Sequence, residues 1–232
     1  MTGFTGFPPE GLNFLADLEQ NNNKEWFDAN RQLFKDSLQQ PALRFIEDVG
    51  EQLKLKNPKI RYDLRTNGSG SLMRINRDTR FSKDKSPYKT NIAGMWWQGE
   101  GKKTEHPAFG FQLEPDGMKL MSGMFAFDKT QLSSYRSAVD GDDLGPKLQE
   151  LIDRLEANAE YEVFGESYKR VPRGMDPNHE RERLLRFSSL HVAPTQTITS
   201  RDMLTSTKLA SQVAEHLLKT TEVQQWLVKA LQ

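Results

Sequence analysis

The chain has no cysteine. Disulfides, thiol nucleophiles, iron–sulfur clusters and cysteine-held zinc are therefore excluded. A thiol-free chain is compatible with a reducing compartment, and the cytoplasm is the expected location. No apolar run approaches the roughly 18 residues that a membrane-crossing helix needs, so no membrane association is expected. The opening residues MTGFTGF lack the basic start and long apolar stretch of a secretion signal. The four histidines, His106, His179, His191 and His216, show no HExxH or other metal-ligand spacing, so no metal is assigned. No GxxxxGK[ST] phosphate loop, GxGxxG turn or GxSxG elbow is present, and no cofactor is named. Excess charge is absent as well, with 32 basic and 32 acidic residues. A neutral chain is a poor general nucleic-acid binder, because such binding grows with the number of phosphates neutralised.

What remains is a 232-residue chain, 36% apolar and 28% charged, read as one α+β domain spanning residues 1–232. The front is helical. Pro9 suits the first position of a helix with Leu12, Leu15 and Leu18 on one face. Asn22 and Glu25 have capping-box spacing, and Trp26, Phe27, Asn30, Leu33 and Phe34 follow at helical intervals. Pro41 starts or kinks a further helix whose apolar face holds Phe45, Ile46, Val49 and Leu53. The middle alternates: strands are expected near 60–64, 72–75 and 92–98, with a turn at 67–71. A hairpin is expected where Phe109, Phe111 and Leu113 lead through Pro115-Asp116-Gly117 to a return strand over 118–125. Helices return over about 128–139 and 144–156, around Leu209, Val213 and Leu217, and at the end. Between them, 161–198 reads as short elements and loops. Consecutive strands between helical ends imply a central antiparallel or mixed sheet.

Charge is unevenly placed. The stretch RINRDTRFSKDKSPYKT, residues 74–90, carries Arg74, Arg77, Arg80, Lys83, Lys85 and Lys89 against Asp78 and Asp84, a local charge of +4 that the rest of the chain balances. Arginine bonds phosphate or carboxylate bidentately and lysine adds a less directional charge, so both types in one loop suit an anion with several oxygens. Asp78 and Asp84 are read as orienting neighbouring arginines, the commoner role, or as metal ligands, and Asp78 is counted among the ligand-binding residues. Phe81 is expected to anchor the loop in the core, and Tyr88 either does likewise or offers its hydroxyl to a ligand as a polar handle. The competing readings are a solvated loop with internal arginine–aspartate pairs, a buried structural network, and a contact surface for an acidic protein partner.

A second basic stretch, 168–186, holds Lys169, Arg170, Arg173 and His179 before a short helix with Arg181, Arg183 and Arg186. Arg181 and Arg183 read as ordinary helix-surface pairs; the first four are candidate ligand contacts. Glu25-Trp26 and Asn30-Arg31 could line a pocket, although Trp26 and Phe27 fit a core face better. Trp96 and Trp97, adjacent on a strand, point to opposite faces, so one is expected in the core and the other half exposed.

The string RDTRFSKDKSPYK resembles the signature of the uncharacterised domain of unknown function 2461. NNNKEWFDANR (21–31) is similar to that family's opening motif, and YKRVPRGMDPNHERERLLR (168–186) resembles a later one. The resemblance runs from Phe7 to about Leu231. It implies that these segments belong together, and it supplies no reaction, cofactor or catalytic residue. The ligand expected is a phosphate-bearing or other anionic small molecule, with a nucleic-acid end less favoured. The oligomeric state is not legible.

Overall fold

The computed structural model describes residues 3–157 and 159–232. Helix α1 (Pro9–Gln20) begins with Pro9, whose missing amide hydrogen costs nothing at that position, and buries Leu12, Leu15 and Leu18. Helix α2 (Lys24–Ala29) is capped by Asn23 rather than Asn22: the Asn23 side chain accepts from the Trp26 amide at 2.9 Å. The chain then stays helical through α3 (Arg31–Phe34), a π-helical turn (Lys35–Gln39) and α4 (Gln40–Lys56). Pro41 lies at the start of α4, just past the π-turn, where its missing donor is tolerated. Phe45, Ile46, Val49 and Leu53 are buried along α4, as their spacing predicts.

Strands β1 (Ile60–Arg61), β2 (Ile92–Gln98), β3 (Ala108–Glu114) and β4 (Gly117–Met124) precede α5 (Lys129–Asp140) and α6 (Leu144–Ala157). Then come β5 (Tyr161–Glu166), α7 (Glu182–Leu185), β6 (Phe187–Pro194), α8 (Arg201–Leu204), α9 (Leu209–Leu218) and α10 (Thr221–Ala230). The strands form a six-stranded sheet in the order β1-β2-β3-β4-β6-β5. β6 runs antiparallel to both β4 and β5, and β3 and β4 are joined by a tight turn at Pro115-Asp116. The protein is α+β. The expected strand over 60–64 shrinks to two residues. The one over 72–75 is reduced to isolated pairings, Leu72 with Gly94 and Asn76 with Tyr88. The 161–198 region, read as short elements and loops, supplies two of the six strands.

Two compact units are present. The first contains the residues up to Trp97, Gly110–Leu120 and Thr197–His216; the second contains Gln98–Phe109, Met121–Gln196 and Leu217–Gln232. In the first, Phe4 meets Phe7 and Phe45 edge-on, each at 5.1 Å, and Phe45 meets Phe111 at 4.9 Å. Such pairs add about 0.5–1.5 kcal/mol each beyond the area they bury. The Trp96 indole donates to the Ile46 carbonyl at 2.8 Å. Trp97 is buried as well, against the expectation of half exposure. In the second unit, Tyr135, Leu148, Phe187 and Leu227 are fully buried, and the Tyr135 hydroxyl donates to the Leu184 carbonyl at 3.1 Å.

Candidate functional site

The basic stretch is the far part of an irregular hairpin in the first unit. Met73 donates to the Ala93 carbonyl and Met95 to that of Ser71; further out, Lys89 donates to Ile75 and Arg77 to Pro87. Between these two sets the pairing slips by two residues. Arg74 therefore faces residues 90–92 rather than a single partner, as at a β-bulge. Ile75 and Tyr88 are buried and pin the hairpin to the unit. The Tyr88 ring stacks on Phe27 with centroids 4.0 Å apart. The Asn22 side chain clasps the Tyr88 backbone from both sides, donating to its carbonyl at 2.9 Å and accepting from its amide at 3.0 Å. The asparagine that sequence spacing placed at a helix cap thus docks the basic hairpin onto the front helices.

The hairpin's charges are divided among different tasks. Arg77 pairs with Asp84 and donates to the Ser82 hydroxyl at 3.3 Å. Arg80 grips Asp78, with both side chains well exposed. Asp84 is held far below the usual carboxylate range, first by the Ser86 hydroxyl and amide and then by Arg77. Asp78 is lowered by its hydrogen bonds from Arg80. Lys85 donates to the Thr79 carbonyl at 2.9 Å, and Lys83 is exposed. Phe81 does not reach the core: it is 94% exposed at the tip, with the Arg80 guanidinium 5.8 Å from its ring. No hydrophobic spacing surrounds it that would bring it inward.

Arg74 behaves differently. Its side chain lies along Gly68, which adopts φ +93°; a Cβ there would come within 2.8 Å of Arg74 Cδ and Nε. It lines a cleft of about 200 Å³ together with Phe27, Arg31, Lys35, Gln39 and Tyr88. Among the described residues neither Arg74 nor Lys35 has a carboxylate within ion-pair distance. Arg31 pairs with Asp28 and also lies 5.5 Å from the Phe27 ring centroid. Arg31, Lys35 and Gln39 recur every four residues. In an α-helix that spacing drifts by about 40° per step; the wider π-turn counteracts the drift and keeps the three on one wall. Burial raises the Tyr88 phenol above its ordinary value, with Asp28 adding to the effect. Lys89 donates to the Arg74 carbonyl at 3.0 Å; burial, then the Arg74 charge, lowers its ammonium.

The second basic stretch lies in the other unit. Lys169, Arg170 and Arg173 are exposed there. His179 is tied into the scaffold: Nδ1 accepts from the Arg181 amide at 2.9 Å and Nε2 lies 3.5 Å from Asp140. Arg181 pairs with Glu180, as its spacing suggested, but it is not a helix-surface residue. It is 5% exposed, and its guanidinium donates to the Val139 and Asp140 carbonyls at 2.8 and 3.2 Å, covering the end of α5. Arg183 bonds Glu156 bidentately at 2.7 and 2.8 Å, and Arg186 pairs with Glu166 at 2.8 Å. The Arg183 partner lies well outside the local range that its helix spacing suggested.

Sequence reading had noted Arg31 beside Asn30 but missed Lys35 and Gln39. Their four-residue spacing after Phe27 was the available signal, and the π-turn that makes the spacing effective was not legible. Among the described residues no three histidine, aspartate or glutamate side chains gather as a metal site would require, and no helix is long and apolar enough to cross a membrane. A comparison with curated proteins gave no match. The model of a conserved hypothetical protein family, DUF2461, matches residues 10–226, which include the Asn22 clasp, the basic hairpin and the second basic stretch. The chain belongs to the DUF2461 family.

Proposed function

We propose that the cleft of the first unit binds a phosphorylated or otherwise anionic small molecule, held by Arg74 and Lys35 with the Tyr88 hydroxyl as an additional polar contact. The observation that carries this reading is the pair Arg74 and Lys35: two cations lining one cleft without a carboxylate to neutralise either. An unpaired arginine in a concave site favours a bound oxyanion, to which its fork-shaped donors are matched. Arg77 and Arg80, by contrast, already have carboxylates. Of the six cations in the hairpin, Arg74 is the principal ligand contact on this reading.

Thermal unfolding with sulfate, phosphate, sugar phosphates, nucleotides and short oligonucleotides tests it. A ligand at a hundred times its dissociation constant adds about 2.7 kcal/mol, or roughly 5–10 °C for a chain of this size. The expected result is a selective shift that is lost in Arg74→Gln/Lys35→Gln and kept in Arg80→Ala. If no anion shifts the wild type, or the double variant keeps the shift, the cleft is not an anion site.

One observation favours a second reading, contact with an acidic protein partner. Phe81 projects at the hairpin tip between Arg80 and Lys83, and an exposed aromatic ringed by cations is a form that interface anchors take. Under this reading Phe81→Ser abolishes partner binding and leaves anion-induced shifts untouched.

A further inference from the structure

We propose that Lys89 is a reactive amine that adds to the carbonyl of a small aldehyde or keto ligand. The site is a second cavity of about 350 Å³, lined by Lys89 with Glu19, Asn22, Arg77, Asp84 and Ser86. This cavity shares Tyr88 with the cleft described above, yet Arg74, Lys35 and Arg31 do not line it. The inference therefore does not rest on the anion-binding reading.

Lys89 Nζ donates to a neutral group, the Arg74 carbonyl, at 3.0 Å. No carboxylate lies within ion-pair distance of it among the described residues. A carboxylate would stabilise the ammonium charge; a carbonyl does so less, and an adjacent arginine works against it. The other charged groups facing the cavity do not reverse this. Arg77 and Asp84 are paired with each other, and Glu19, projecting from α1, makes no ion pair with Lys89. Burial and the Arg74 charge both favour the neutral amine, the form that attacks carbonyl carbon.

The step balances without a further reactant. The nitrogen lone pair forms a C–N bond as the carbonyl π electrons move to oxygen. Proton transfer from nitrogen to oxygen gives a carbinolamine, and loss of one water leaves the imine.

The test uses the intact protein with glyoxylate and cyanoborohydride, which reduces any imine to a stable amine, and maps the labelled lysines by peptide mass spectrometry. At pH 8 Lys89 is expected to label about threefold or more faster than the exposed Lys83 and Lys169. That advantage should shrink as the pH passes about 10.4, where ordinary lysines also become neutral. Arg74→Gln, which removes the neighbouring charge, should reduce the advantage at pH 8. The comparison among lysines of the wild-type chain decides the matter even if that variant folds poorly. Lys89 labelling no faster than Lys83 at pH 8, or an advantage that does not change with pH, overturns the proposal.

Discussion

Arg181 is a cation whose role sequence spacing gave only in part: it pairs with the exposed Glu180 as expected, but it is not a surface residue. Its place in a run of alternating charges suggests a solvent-facing helix, but it is buried and its guanidinium closes the last turn of α5 through the Val139 and Asp140 carbonyls. Truncation would leave those carbonyls without their donor in a region with little access to water. Arg181→Met should therefore lower stability by about 2–3 kcal/mol, read as a shift in the urea midpoint at constant slope. His191 offers a pH-dependent counterpart. Its ring is flanked by Phe125 at 5.3 Å and Phe164 at 5.2 Å, and burial lowers its affinity for a proton. Below about pH 6.5 the unfolded chain takes up a proton that the native imidazole resists, so the native state loses stability until the folded value is passed. His191→Phe keeps an aromatic ring in the stack and cannot titrate. Urea unfolding at pH 8 and pH 5.5 should show a smaller loss on acidification in the variant than in the wild type.

At the scale of elements, the front helices approach one another through a glycine. A Cβ on Gly11 would lie 2.3 Å from the Ser37 carbonyl oxygen in the π-turn, a backbone atom that cannot step aside. Gly11→Ala should cost about 1–3 kcal/mol in chemical denaturation, the range for forced overpacking. Because the π-turn also carries Lys35 and Gln39, the same variant should weaken anion-induced stabilisation. Much of this level was legible in the sequence. α1, α4, β2, the β3–β4 hairpin and the Asp128 cap of α5 follow from leucine spacing, alternation and turn residues. In α5, Asp128 and Gln131 form a reciprocal capping box. β5 and β6 were not legible. β5 alternates in burial, but its outer face carries Phe164 beside Glu162 and Glu166 and its register breaks near Gly165, so the residue types do not mark which face is wet. The candidate site was only partly readable for a related reason. Charge density marks the hairpin, but which cations are neutralised depends on contacts such as Arg77–Asp84, which local spacing does not determine.

At the scale of the whole molecule, neither unit is one continuous stretch of chain. The first draws on three segments separated by residues of the second, and β3 and β4 each contribute to both. No single cut can release either unit whole. A fragment ending at Trp97 would lack Phe111, which packs on Phe45 and Trp96, and the whole of α9. It should show no cooperative unfolding transition and little near-ultraviolet circular dichroism, whereas the full chain should show a cooperative transition and a strong near-ultraviolet signal. The interleaving also shapes how the protein is made. The partners of the front helices are not complete until residue 216 has been synthesised, and at about 5–20 residues per second the ribosome needs on the order of ten seconds to cover that interval. During that time Phe45 and Trp96 gain Phe111 early, but the unit still lacks residues 197–216. The nascent chain therefore passes through a sticky interval, and chaperone dependence during translation should exceed that of refolding from denaturant at low concentration.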